Sequence, residues 1–136
     1  MVQTFETNFF NTVAITQILL PLIHKANAGR IVNVSSSLGS LTLHSNPNWE
    51  FFECKTLAYN CSKTALNAFT IHLAHELRGT KIKVNSAHPG WVKTEMGGKL
   101  APLELEEGIK TSVRLALLPE EGPTGGFYYL EESLPW

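Results

Sequence analysis

The sequence predicts an α/β fold, a parallel sheet with helices covering both faces. Three observations carry this expectation. Helix-like and strand-like stretches alternate along the 136 residues in the order α, β, α, β, α, β. Each helical stretch is long enough to be a crossover between parallel neighbours. Hydrophobic content of 43% with charged content of 17% suits a chain that fills a core. A chain of this length buries about two-thirds of its unfolded surface as one unit. With no internal repeat, low-complexity segment or linker, residues 1–136 read as a single domain-sized unit.

Each element has its own signal. Phe5 to Ile23 reads as a helix, with Phe9, Val13, Leu20 and their neighbours apolar on more than one side. So apolar a helix is expected to be deeply buried or covered by a partner. Asn27-Ala28-Gly29 reads as a turn, and Arg30-Ile31-Val32-Asn33-Val34 as a short β-branched strand. That strand releases its chain into Ser35-Ser36-Ser37-Leu38-Gly39. Ser40 to Thr56 has mixed composition and Pro47, and is expected to be a loop with at most a short helical turn.

The next helix runs from Thr56, a plausible N-cap, to Arg78, with Gly79 as its stop. Leu66, Phe69, Leu73 and Leu77 recur along it at three- and four-residue steps. Lys81-Ile82-Lys83-Val84-Asn85 alternates polar and apolar and predicts a strand, broken at the Pro89-Gly90 turn. Trp91 to Ala101 reads as loop. A helix is expected over Leu103–Leu117, ended by Pro119, and a last strand over Phe127–Leu130.

Several function classes are disfavoured. A formal net charge of −1 argues against a nucleic-acid partner. The most apolar stretch, Val13 to Ile23, is too short to span a bilayer, and Met1 to Glu6 lacks the layout of a secretory signal. A cytoplasmic location is therefore expected. Cys54 and Cys61 form neither a disulfide framework nor a zinc spacing, and are expected to be buried or half-buried free thiols. His72 and His75 stand at i, i+3 without an evident third ligand, so no metal site is expected.

The chemistry-bearing stretch is Tyr59-Asn60-Cys61-Ser62-Lys63. On a helix Tyr59 and Lys63 are i and i+4, so both side chains leave from one face. An ammonium beside a phenol favours the phenolate and would lower its pKa toward a useful acid or base. Alone, such a pair is a weak signal, since the spacing arises by chance in many chains.

Its surroundings strengthen it. Ser36 after a strand, with Tyr59 and Lys63 at a helix start, resembles the active site of the short-chain dehydrogenases/reductases. Asn8 in Thr7-Asn8-Phe9-Phe10, Gly29 to Ser36, and Pro89-Gly90-Trp91-Val92-Lys93-Thr94 are similar to further motifs of that family, in the family's order. The wording of Pro89 to Met96, Glu106-Glu107-Gly108 and Leu115 to Pro119 resembles its NADPH-dependent, carbonyl-reductase-like branch. The Ser36-to-Tyr59 interval looks longer than in most of the family.

The resemblance implies a Rossmann-type doubly wound sheet and reduction of a small-molecule carbonyl to an alcohol with NADP(H). Ser36 would hold the carbonyl oxygen, Tyr59 would donate the proton, and Lys63 would stabilise the phenolate and hold the cofactor ribose. Asn8 would order a water. Pro89 and Gly90 would lie against the nicotinamide, with the Val92 backbone and Thr94 on its carboxamide. His88 is expected to border the cleft without taking part, and Trp49, Phe51, Phe52 and Trp91 are candidates to line an apolar pocket.

The family's Gly-rich phosphate turn after its first strand has no counterpart among the 136 residues, and there is no Asp to select at the ribose 2′ position. At about 30 residues per βαβ unit, roughly 90 residues of the usual fold would precede Met1. The chain is therefore expected to be the C-terminal half of that fold, its N-terminal βα units absent. A sheet edge left open should promote self-association, and cofactor binding should be weak. Two rivals stand beside this reading. One is a non-catalytic chain acting only in protein association. The other is an alcohol dehydrogenase of the same family that uses NAD(H).

Overall fold

The computed structural model describes all 136 residues and realises the α/β alternation. Helix α1 (Val2–Phe5), a π-helical stretch (Glu6–Phe10) and α2 (Asn11–Ile23) form one continuous helical rod. Strand β1 (Arg30–Val34) follows, then a 3₁₀ turn (Ser37–Gly39) and the short α3 (Leu41–His44). The long α4 (Leu57–Glu76) leads to β2 (Lys83–Ala87). Helices α5 (Leu105–Gly108) and α6 (Lys110–Ala116) precede β3 (Phe127–Tyr129) and β4 (Glu132–Ser133).

The sheet runs β1-β2-β3-β4, the first two pairings parallel and the last antiparallel. In register, Ile31 stands opposite Val84 and Asn33 opposite Ser86. Alternation then sorts the faces. Ile31 and Val84 join Leu73, Ala74, Leu77 and Ile82 in the core beneath α4, with Leu20, Ile23 and Phe69 packed against it. On the same face Asn33 Nδ2 donates to Thr70 Oγ1 at 2.8 Å, and Thr70 Oγ1 meets Ser86 Oγ at 2.8 Å. This buried polar chain fixes the α4 register against both strands, because each buried group would be costly unpaired. On the other face Arg30 Nε and Nη2 donate to the Leu118 carbonyl at 2.9 and 2.7 Å, holding the end of α6.

Helix α4 follows its periodicity. Leu66, Leu73 and Leu77 are buried, and Gly79 ends the run in the left-handed region at φ +83°. Thr56 occupies the N-cap position, but its hydroxyl donates to the Asn60 side chain instead of capping the helix.

Four local expectations need correction. The second strand lies at Lys83–Ala87, two residues beyond its predicted start, because parallel pairing with Arg30–Val34 sets the register and Gly29 O takes the Lys83 N–H. The predicted helix over 103–117 is two helices meeting at Ile109. Leu130 turns the chain at φ +53°, so β4 adds an antiparallel strand where none was predicted. Both cysteines are exposed, Cys54 on the loop before α4 and Cys61 on its outer side.

Helix α2 is not deeply buried. Thr16 is its one buried residue, and Ile18 and Leu22 stand 74% and 62% exposed. Strand β1 has no neighbour on its other side, so the sheet has an open edge there. No helix is long and apolar enough to cross a membrane.

Candidate active site

The site sits where β1 releases its chain, at the carboxyl ends of the parallel strands, where ligands of such sheets bind. Ser36 is extended at φ −153°, and its Oγ accepts the Leu38 N–H at 3.2 Å, capping the 3₁₀ turn. This turn packs directly on α4. A Cβ built on Gly39 would meet the Lys63 backbone carbon at 2.8 Å, and Thr64 Oγ1 donates to the Gly39 carbonyl at 3.0 Å. Only glycine permits that approach, which brings Ser36 to the helix face carrying Tyr59 and Lys63.

Tyr59 faces the Ser36 hydroxyl. Burial pushes the phenol above its ordinary value, and the Ser36 hydroxyl pulls it part of the way back. The expected lowering by Lys63 is not found. The ammonium lies over the Tyr59 ring, 5.6 Å from its centroid, and donates to the Val34 carbonyl at 2.9 Å. Burial lowers the pKa of Lys63 itself. Tyr59 therefore holds its proton at neutral pH.

Asn8 lies in the π-helical stretch, and its Nδ2 donates to Ser62 Oγ at 3.0 Å. Ser62 Oγ donates on to the Tyr59 carbonyl at 2.7 Å. Asn8 thus grips the first turn of α4 beneath Tyr59, a link that motif spacing could not reveal.

The Pro89 segment closes the other wall. Gly90 takes φ +83°, and its missing side chain leaves room for Leu103. Val92 pairs with Leu103 in an isolated parallel bridge. Gly97 and Gly108 both pack against Val92, where a Cβ would meet its carbonyl oxygen at 2.0 Å and its Cγ2 at 2.5 Å respectively. Thr94 Oγ1 accepts the Gly97 N–H at 2.9 Å, so part of its hydrogen-bonding capacity goes to its own loop.

A cavity of about 870 Å³ joins these groups, lined by Ser35, Ser36, Tyr59, Pro89, Gly90, Val92 and Thr94 among others. Phe51 and Trp91 line it and meet edge to face at 6.3 Å. The expectation that Trp49 and Phe52 also line it fails. Trp49 packs between His44 and Phe51, and Phe52 lies under the Lys55 ammonium at 4.0 Å. Ser35 and Met96 belong to the lining too, inside motif stretches in which neither was given a role. Ser35 Oγ is buried without a protein partner.

The donor set fits the nicotinamide end of a dinucleotide. The unpaired Ser35 hydroxyl lines the cavity, and Lys63 Nζ is tied only to a backbone carbonyl beside it. A Gly-rich turn for the pyrophosphate is not among these residues.

These features define a candidate active site on a Rossmann-type sheet. The short chain dehydrogenase family model matches residues 1–104, and the chain belongs to that family. Its relatives include salutaridine reductase of Papaver bracteatum, 33% identical across 96% of this chain and 52% of the relative. Carbonyl reductase [NADPH] 1 of Mus musculus is 35% identical across 98% of this chain and 61% of the relative. Among solved structures, carbonyl reductase Sniffer of D. melanogaster superposes with a TM-score of 0.81 at 34% identity, covering 99% of this chain and 56% of that one. The NADPH-bound carbonyl reductase from chicken fatty liver also gives 0.81, at 30% identity, covering 97% of this chain and 55% of that one. The chain thus spans about half the length of the relatives it matches. The alignment with salutaridine reductase runs over 166 positions, more than the 136 residues of this chain, so that relative holds residues inside the matched region that have no counterpart here.

Proposed function

We propose that the site reduces a small-molecule carbonyl to an alcohol with NADPH, Tyr59 giving the proton. The observation that carries this is the Tyr59 phenol, protonated at neutral pH and facing Ser36 at the wall of the cavity. A nicotinamide cofactor, when bound, supplies hydride to the carbonyl carbon. The NADPH named in two relatives supports NADP(H) over NAD(H).

The chain's own residues do the rest. Ser36 Oγ, with its lone pairs partly engaged by the Leu38 N–H, directs its proton toward the substrate oxygen. That contact places the oxygen beside Tyr59, whose phenol protonates it. Lys63, one helical turn away, stabilises the phenolate once its ammonium leaves the Val34 carbonyl. The Val92 backbone and Thr94 would hold the cofactor's carboxamide, and Pro89 and Gly90 would border its nicotinamide. Asn8 keeps Tyr59 in place through Ser62, and its Oδ1, without a protein donor, holds the water that resupplies the proton. The test is aldehyde-dependent NADPH oxidation in the wild type and Tyr59→Phe, which should lose about 100-fold or more. Equal rates would overturn the assignment.

A second reading rests on a separate observation. The exposed apolar side of α2 and the open β1 edge favour association of the chain with itself or a partner. Sedimentation that finds a monomer at all concentrations would remove it.

A further inference from the structure

We propose that His88 is a specificity-determining hydrogen-bond donor of this cavity, selecting carbonyl substrates that carry a second, neutral acceptor oxygen next to the reacting one. The proposal rests on the carbonyl-reducing reading of the site. The backbone amide of Ser37 donates to His88 Nδ1 at 3.2 Å. An amide nitrogen can only donate, so Nδ1 carries no hydrogen and the neutral ring holds its proton on Nε2. Nε2–H meets no protein acceptor, yet it is not sealed away. The buried unpaired side-chain atoms of the fold are Ser35 Oγ, Asn67 Oδ1 and Arg114 Nε and Nη2, and His88 Nε2 is not among them.

The ring lines the same cavity as Ser36 and Tyr59. It is held at two places: its edge by the residue following Ser36, and its face by Tyr129, whose ring centre lies 5.2 Å away at a 48° tilt. The donor therefore has a set direction and a set position relative to Ser36. Burial brings the pKa of His88 down to about 4, so the ring is uncharged at neutral pH. An uncharged donor in a wall that also contains Trp91, Leu105 and Ile109 suits a keto, hydroxyl or ether oxygen better than a carboxylate. A substrate with a single oxygen, engaged by Ser36 and Tyr59, would leave this donor unanswered, and a site built to bond a polar group discriminates against the analogue lacking it.

The test compares benzil with deoxybenzoin, which differ by one carbonyl replaced with a methylene. Dissociation constants are read on the full chain by quenching of tryptophan fluorescence, which needs no turnover. Benzil should bind about three- to tenfold more tightly. His88→Asn keeps an acceptor near Nδ1 for Ser37 and removes the Nε2 donor, so the preference should fall to about one. His88→Gln restores a donor near Nε2 and should recover part of it. Nitrogen NMR of the wild type should place the ring proton on Nε2.

A proton on Nδ1, no benzil preference in the wild type, an unchanged preference in His88→Asn, or no measurable binding of either compound would overturn the proposal. Benzil turnover without a binding preference would remove the donor role and leave carbonyl reduction standing. A His88-dependent preference without turnover would do the reverse.

Discussion

Gly39 offers a severe test of how the site is built, because it asks nothing of a cofactor. A methyl group at this position would stand 2.8 Å from the Lys63 backbone carbon, 2.9 Å from its Cβ and 3.0 Å from its carbonyl oxygen. Two of those atoms belong to the backbone of a long helix and cannot rotate aside. Gly39→Ala must therefore push the Ser36 turn off α4 and stretch the Thr64–Gly39 hydrogen bond. Overpacking of this kind costs about 1–3 kcal/mol. For a chain of this size that corresponds to a fall in Tm of about 3–10 °C, read by circular dichroism. Gly79→Ala is the contrast. Nothing lies within 4 Å of its Cβ, and only the left-handed φ of +83° opposes it, at about 1 kcal/mol. The steric account also requires Gly39→Ala to weaken benzil binding, since Ser36 moves with the turn, while Gly79→Ala leaves binding intact. A Gly39→Ala chain that melts at or above the wild-type temperature would refute the close packing on which the site depends.

The remaining expectations concern acid stability, the apolar helix and the Asn8 link. His88 has a folded pKa of about 4, below the ordinary value of about 6.5. Its contribution is full above the ordinary value and is lost as pH falls toward the folded one. By pH 5 the loss should be about 2 kcal/mol, and urea midpoints of His88→Asn should decline less over that interval than those of the wild type. His44, also lowered by burial and by Lys55, titrates in both chains and drops out of the difference. Pairing Ile18→Glu with Leu22→Glu on the exposed side of α2 should shift sedimentation toward monomer with little change in Tm. An unchanged assembly would place the contact elsewhere, with the β1 edge next to be examined. Asn8→Ala should lower stability by about 1 kcal/mol through the lost bond to Ser62, seen as an earlier urea midpoint.

The parts of the fold legible in the sequence are those with strong local periodicity. Leu66, Leu73 and Leu77 announced α4 and are buried as the spacing required. The β-branched run at Arg30 to Val34 forms its strand at the predicted residues. Where partners decide, local reading failed. The alternation at Lys81 to Asn85 marks a strand, but its bounds come from pairing with β1. The turn at Leu130 depends on a left-handed leucine, which no propensity favours.

The candidate site divides in the same way. Ser36, Tyr59, Lys63 and the Pro89 segment stood out as ordered motifs and line or border one cavity. Their electrostatics did not stand out, because an i, i+4 spacing says two groups are near and cannot say that the Lys63 ammonium points at the Val34 carbonyl. Burial then outweighs the expected pairing and raises the Tyr59 pKa instead of lowering it. The linkage from Asn8 through Ser62 to Tyr59 spans 54 residues between its first two members and has no local signal. His88 looked like a neighbour of the turn because its sequence position reveals neither the Ser37 amide on Nδ1 nor the open Nε2.

The most direct test of the central claim is single-turnover reduction of a small aldehyde by the full chain at millimolar NADPH, the alcohol being quantified by mass spectrometry. The millimolar concentration keeps the cofactor in large excess over the chain. The account predicts alcohol formation by the wild type and a fall of about 100-fold or more in Tyr59→Phe, which removes the proton donor and little else. Alcohol formed equally by both chains, or by neither, would contradict it.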